Sequence, residues 1–223
     1  MLHNAIRIGS KKYHEEEPRD HFYDDFMRSA GLAYPDEGID EQQALRIRRF
    51  LNRWNTRYQA SPDELRAALL EVQDDFRLLQ DMSILDVNFS GSMSGVSIAE
   101  VAERVYNTIV GCGRRHEATG TSKILHILQP DLFVMWDERI RLGYASATSG
   151  TGYAATFLPR VQMVVRKAVN ELVDIYGISK EDAVRVLCPC GHTLAKVLNE
   201  YNYAKFTLNL DIVWRAELGT LED

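Results

Sequence analysis

Residues 111–144 read GCGRRHEATGTSKILHILQPDLFVMWDERIRLGY. They hold a glycine-containing turn, a lysine, a short apolar helix, a Pro-Asp break, and a hydrophobic segment ending at Trp136-Asp137. Thr119 or Thr121 is placed to cap the helix, whose first amides need an oxygen or an anion. Ile124, Leu125, Ile127 and Leu128 form its apolar side, and Pro130 stops it. A helix over 121–128 is roughly 12 Å long. An extended segment over 130–136 reaches roughly 23 Å. The chain can therefore double back and bring Asp137 towards Lys123. Asp137 also stands where a helix beginning at Glu138 needs its N-cap.

The flanking sequence is helical in pattern. Residues 1–38 read as irregular or partly helical, with a polar break at His14-Glu15-Glu16-Glu17-Pro18 and a turn at Pro35-Asp36-Glu37-Gly38. Phe22, Tyr23, Phe26 and Met27 predict a short helix over 19–31. Asp40 opens a helix to about residue 59, with Leu45, Ile47, Phe50, Leu51, Trp54 and Tyr58 on one stripe. Ser61-Pro62-Asp63-Glu64 is a capping box with proline at the first helical position, predicting a helix to about Asp81. The Ser-Gly-Ser-Met-Ser-Gly tract within 82–96 reads as a linker, or as a loop that orders around a ligand. It divides an N-terminal helical region, 1–96, from a main helical domain, 97–223, and the two could still pack as one domain.

Ser97 and Glu100 form a further capping box, and the helix they open ends at Gly111-Cys112-Gly113. Small residues over 145–153 lack the Walker lysine and the dinucleotide spacing, so they predict a loop and no phosphate cradle. A long packing helix follows over 153–176, then helices over 179–187 and 192–205. Residues 206–214 fit either more helix or a short strand. Period-two alternation between hairpin turns is missing, so the fold class is all-α, a compact multi-helix bundle.

The 223 residues suffice for a large core without cross-links. No apolar run nears the roughly 20 residues of a membrane span, and residues 1–20 lack the core of a signal peptide. The expectation is a cytoplasmic protein with no membrane contact. Three cysteines are too few for a disulfide framework. Cys188-Pro189-Cys190-Gly191-His192 is cramped for tetrahedral zinc, and a helix–helix turn is expected there. No metal, nucleotide or flavin is called for. The net charge is −6, but residues 101–167 carry nine Lys/Arg against five Asp/Glu. This middle region is the one place where phosphate contacts fit. A solvated face fits the same composition.

The order of glycine turn, lysine, short helix, Pro-Asp break, Phe, Asp and Arg resembles the core of helix-hairpin-helix DNA glycosylases. The matching residues are Gly120, Lys123, Asp137 and Arg141, within about 25 residues of chain. The hairpin itself reads Glu117-Ala118-Thr119-Gly120-Thr121-Ser122 where that family has Leu-Pro-Gly-Val-Gly. The stretch is also similar to one in uncharacterised bacterial proteins with no assigned activity. The glycosylase resemblance implies base excision. Lys123 attacks the sugar carbon to form a Schiff base, and Asp137 steers the attack or stabilises the oxocarbenium charge. DNA is the implied partner, contacted by Arg114, Arg115, Gly120, Thr121, Ser122, Arg139 and Arg141.

Chemistry leaves two readings open. A Schiff-base lysine must be partly neutral near pH 7, through burial or a neighbouring cation. Phe133 and Trp136 could bury it, and Arg114, Arg115 or Arg139 could supply the charge. A carboxylate alone raises a lysine's pKa, so Asp137 beside Lys123 is equally a plain ion pair. In that case the chain is a non-catalytic helical interaction protein whose focal residues cap and pair.

Overall fold

The computed structural model describes residues 1–30, 38–54, 58–93, 95–113, 117–189 and 191–212. Eleven α-helices make up the fold among them. They are α1 (Leu2–Glu16), α2 (His21–Ala30), α3 (Glu41–Arg53), α4 (Pro62–Glu71), α5 (Gln73–Leu79) and α6 (Ile98–Gly111). The remainder are α7 (Ala118–Leu128), α8 (Glu138–Gly143), α9 (Leu158–Tyr176), α10 (Lys180–Leu187) and α11 (Leu194–Asn202). The protein is an all-α bundle, and no helix among the described residues is long and apolar enough to cross a membrane. A single core cluster runs from Ile6 to Tyr201 and takes residues from both sides of position 96.

The helix starts follow their local chemistry. Asp40–Gln43, Ser61–Glu64 and Ser97–Glu100 each form a full capping box. Four local expectations are corrected. Residues 2–16 are a regular helix, because His3, Ile6, Gly9 and Tyr13 fall on one buried face. The helix expected to about residue 81 breaks at Val72 into α4 and α5. The 91–97 tract closes as a tight antiparallel pair, Ser92 opposite Ser97 and Met93 opposite Val96, with Gly95 at φ +85°. Helix α7 starts at Ala118 with Glu117 as N-cap, so neither Thr119 nor Thr121 caps it.

The chain does double back after Pro130. Leu132 to Trp136 are buried in irregular backbone, which requires partners for their carbonyls. Four side chains from three elements supply them. His126 Nδ1 bonds the Phe133 carbonyl at 2.7 Å, and the Tyr153 hydroxyl donates to Val134 at 2.8 Å. Asn199 Nδ2 donates to Met135 at 3.3 Å, and Ser122 Oγ to Trp136 at 3.2 Å. The Trp136 amide donates back to Ser122 Oγ at 3.1 Å. This segment is the hub of the bundle. Trp136 packs edge-on against Tyr106 and Tyr153, with Phe157 beside it.

The small residues after α8 have a packing cause. A Cβ on Gly152 would lie 2.1 Å from the Ala147 carbonyl oxygen, and one on Gly150 would meet the Asn107 side chain at 2.4 Å. The next turn, Gly152–Phe157, is π-helical and feeds α9. Pro159 is the second residue of α9, just where the π-helical turn gives way to α-helix. At the other end, α11 runs on through a π-helical turn, Tyr203–Thr207, so residues 203–207 are helical. Trp214 lies outside the described residues.

Candidate functional site

Lys123 and Asp137 line the same small cavity, about 180 Å³, or the room of roughly six waters. Two structural causes bring them together. Lys123 sits on the second turn of α7, and the return of 130–136, pinned by Ser122, delivers Asp137 to the start of α8. Trp54, Trp136, Tyr13 and Tyr203 wall the cavity, with Glu17 and Arg19 at its side.

The half-buried Lys123 ammonium lies 4.3 Å from the centre of the Trp54 ring and donates to the Trp54 carbonyl at 3.2 Å. Burial, with the Arg19 guanidinium adding to it, pushes its pKa down to about 8, while Glu17 and Asp137 pull the other way. Arg19 itself is held by both carboxylate oxygens of Glu17 at 2.6 Å. Asp137 Oδ1 caps α8 by accepting from the Ile140 amide at 2.8 Å. Its Oδ2 accepts from the Thr207 hydroxyl at 2.5 Å.

Among the described residues, the other site residues named from the sequence do not line this cavity. Gly120, Thr121 and Ser122 are buried within α7. Arg141 donates to the Ser146 carbonyl at 2.7 Å, and Arg139 to the Thr207 carbonyl at 2.6 Å. Arg160 and Arg166 likewise cap carbonyls, and Arg104 pairs with Asp75. Much of the basic charge of the middle region is thus spent on backbone and on one carboxylate. Arg114 and Arg115 lie outside the described residues, as do His116 and Cys190. Cys188 is half-buried with its thiol pushed up to about 12 by burial, and His192 turns to carboxylates.

A second constellation escaped the sequence reading. Lys196, fully buried on α11, bonds Asp20 at 2.9 and 3.1 Å and Glu200 at 2.8 Å. The Tyr13 hydroxyl donates to Asp20 at 2.7 Å, and His192 Nδ1 meets Glu200 at 2.8 Å. Burial alone would raise the Glu200 pKa, but the Lys196 ammonium and the two imidazoles hold it well below the usual carboxylate range. Beside this network opens a cavity of about 1310 Å³, with His14, His192, Asp24 and Ser10 among its walls. Its signal in the sequence was Lys196 and Glu200 four apart on a helix that is otherwise largely apolar. The partners on α1, on α2 and in the turn between them come from far away in the chain and leave no local pattern.

Set against protein-family models, curated proteins and solved structures, the chain matches none of them.

Proposed function

We propose that the Lys123 cavity is an amine-nucleophile site of glycosylase/lyase type, acting on a sugar carbon of nucleic acid. The observation that carries this reading is that Lys123 and Asp137 share an aromatic-walled cavity, whose burial of the ammonium lowers its pKa. At pH 7 roughly a tenth of the amine is neutral, against well under a thousandth for an ordinary lysine. In the reaction, the neutral Lys123 amine adds to C1′ as the glycosidic C–N bond breaks. The bond pair leaves with the base, which takes up a proton. The attached amine then gives up a proton, its lone pair forms the C=N bond of the iminium, and the C1′–O4′ bond pair leaves on O4′, which takes up that proton. Asp137 stabilises the positive charge that builds on the sugar. The aromatic walls suit one small ring.

Borohydride trapping on a panel of damaged and abasic duplexes tests it. The expected result is a covalent protein–DNA adduct that is absent in Lys123→Ala and weakened at least about tenfold in Asp137→Asn. Absence of any adduct with the wild-type protein overturns the reading. A second reading has its own observations. Asp137 has both oxygens engaged, and Lys123 is anchored on Trp54. On that reading the two residues are architecture in a helical interaction protein.

A further inference from the structure

We propose that His14, His192 and Glu200 form a binding site for a zinc-class divalent transition-metal ion at the floor of the large cavity. One ligand atom from each of the three lies within 4.8 Å of the others. Tetrahedral zinc with bonds of about 2.0–2.1 Å sets its ligand atoms roughly 3.3 Å apart. His14 Nε2 is 3.4 Å from Glu200 Oε2, and His192 Nδ1 is 2.8 Å from Glu200 Oε1. The three groups need small side-chain shifts and no movement of the backbone.

The surroundings fit the same ion. A metal-bound imidazole commonly gives its other N–H to a carboxylate, which fixes the ring. Here His192 Nε2 faces Asp24 at 3.0 Å, and His14 Nδ1 faces Asp20 at 3.4 Å. Each imidazole therefore lies between Glu200 and an outer carboxylate. Lys196 remains on Glu200 Oε1 and on Asp20, and the Ser10 hydroxyl donates to Oε2, whose second lone pair is the one that takes the ion. The charges also match. Lys196 faces Asp20 and Glu200, and Asp24 faces His192, so with neutral imidazoles the three carboxylates exceed the one ammonium by two charges. A divalent cation balances them, as buried charge requires.

Both histidines line the cavity of about 1310 Å³. Three protein ligands leave a fourth position facing that space, the arrangement in which zinc polarises a bound water or holds an anionic group. The set differs from the Cys-rich turn nearby, since it takes one residue from α1, one from the turn before α11 and one from α11 itself. It is also independent of the Lys123 reading.

Calorimetric titration of the chelator-treated full chain with zinc chloride tests the site. The expected result is one ion per chain with micromolar or tighter affinity, weakened at least about tenfold in His14→Ala and in His192→Ala. Cys190→Ser should bind as wild type does, which separates this site from the thiols. A cooperative melt of each variant without zinc checks that it is folded. Absence of stoichiometric binding in the wild type overturns the proposal. Binding that survives His14→Ala and His192→Ala together overturns it equally.

Discussion

At the scale of single residues, Lys123 bears the sharpest conflict between stability and availability. Its folded pKa of about 8 lies below the ordinary value of about 10.5. The folded state therefore binds the proton less tightly than the unfolded chain. The penalty is fully present below about pH 8 and fades as the pH rises through 10.5. Lys123→Met should remove it, raising stability at pH 7 by up to about 3 kcal/mol. The gain should shrink towards zero above pH 10.5. Urea unfolding of both proteins at pH 7 and pH 10.5 measures it. A Met variant that is less stable at pH 7 would mean that the contact with Trp54 outweighs desolvation.

At the scale of elements, the segment 130–136 organises the fold, and side chains hold it where a helix or sheet ladder would normally serve. Ser122 serves both the amide and the carbonyl of Trp136, in a region with no exposed surface. Ser122→Ala should cost about 1–3 kcal/mol by leaving those groups short of partners. Thermal melts would show it, and an unchanged melting point would assign the closure to apolar packing alone. The doubling back was legible in advance, because its lengths follow from helix rise and chain reach. The capping boxes at residues 61 and 97, and Asp40 as an N-cap, were legible for the same local reason. The start of α7 was not, since Gly120 disguises a helical turn as a hairpin.

At the scale of the whole molecule, α1 shows where sequence reading ran out. Its buried face is His3, Ile6, Gly9 and Tyr13, a stripe with a gap where a large apolar residue would be sought. The gap has a purpose that appears only in the fold. A Cβ at Gly9 would lie 2.7 Å from the Tyr201 ring, so glycine lets α1 lie against α11. That approach brings Tyr13 and His14 to the buried Lys196–Glu200 pair and completes both cavities. Neither side of the pairing announces the other, because they stand about 190 residues apart. One continuous core predicts one cooperative transition. Near- and far-ultraviolet circular dichroism should melt together. Two separated transitions, divided near residues 96 and 97, would contradict the single core.

The Lys123 reading depends on the state of one amine. It can be followed directly in protein labelled with ¹³C and ¹⁵N lysine, by titrating the side-chain resonance that vanishes in Lys123→Met. The account predicts a midpoint near pH 8, the value set by burial and Arg19. A midpoint near 10.5 would contradict it, leaving Lys123 an ordinary ammonium anchored on Trp54.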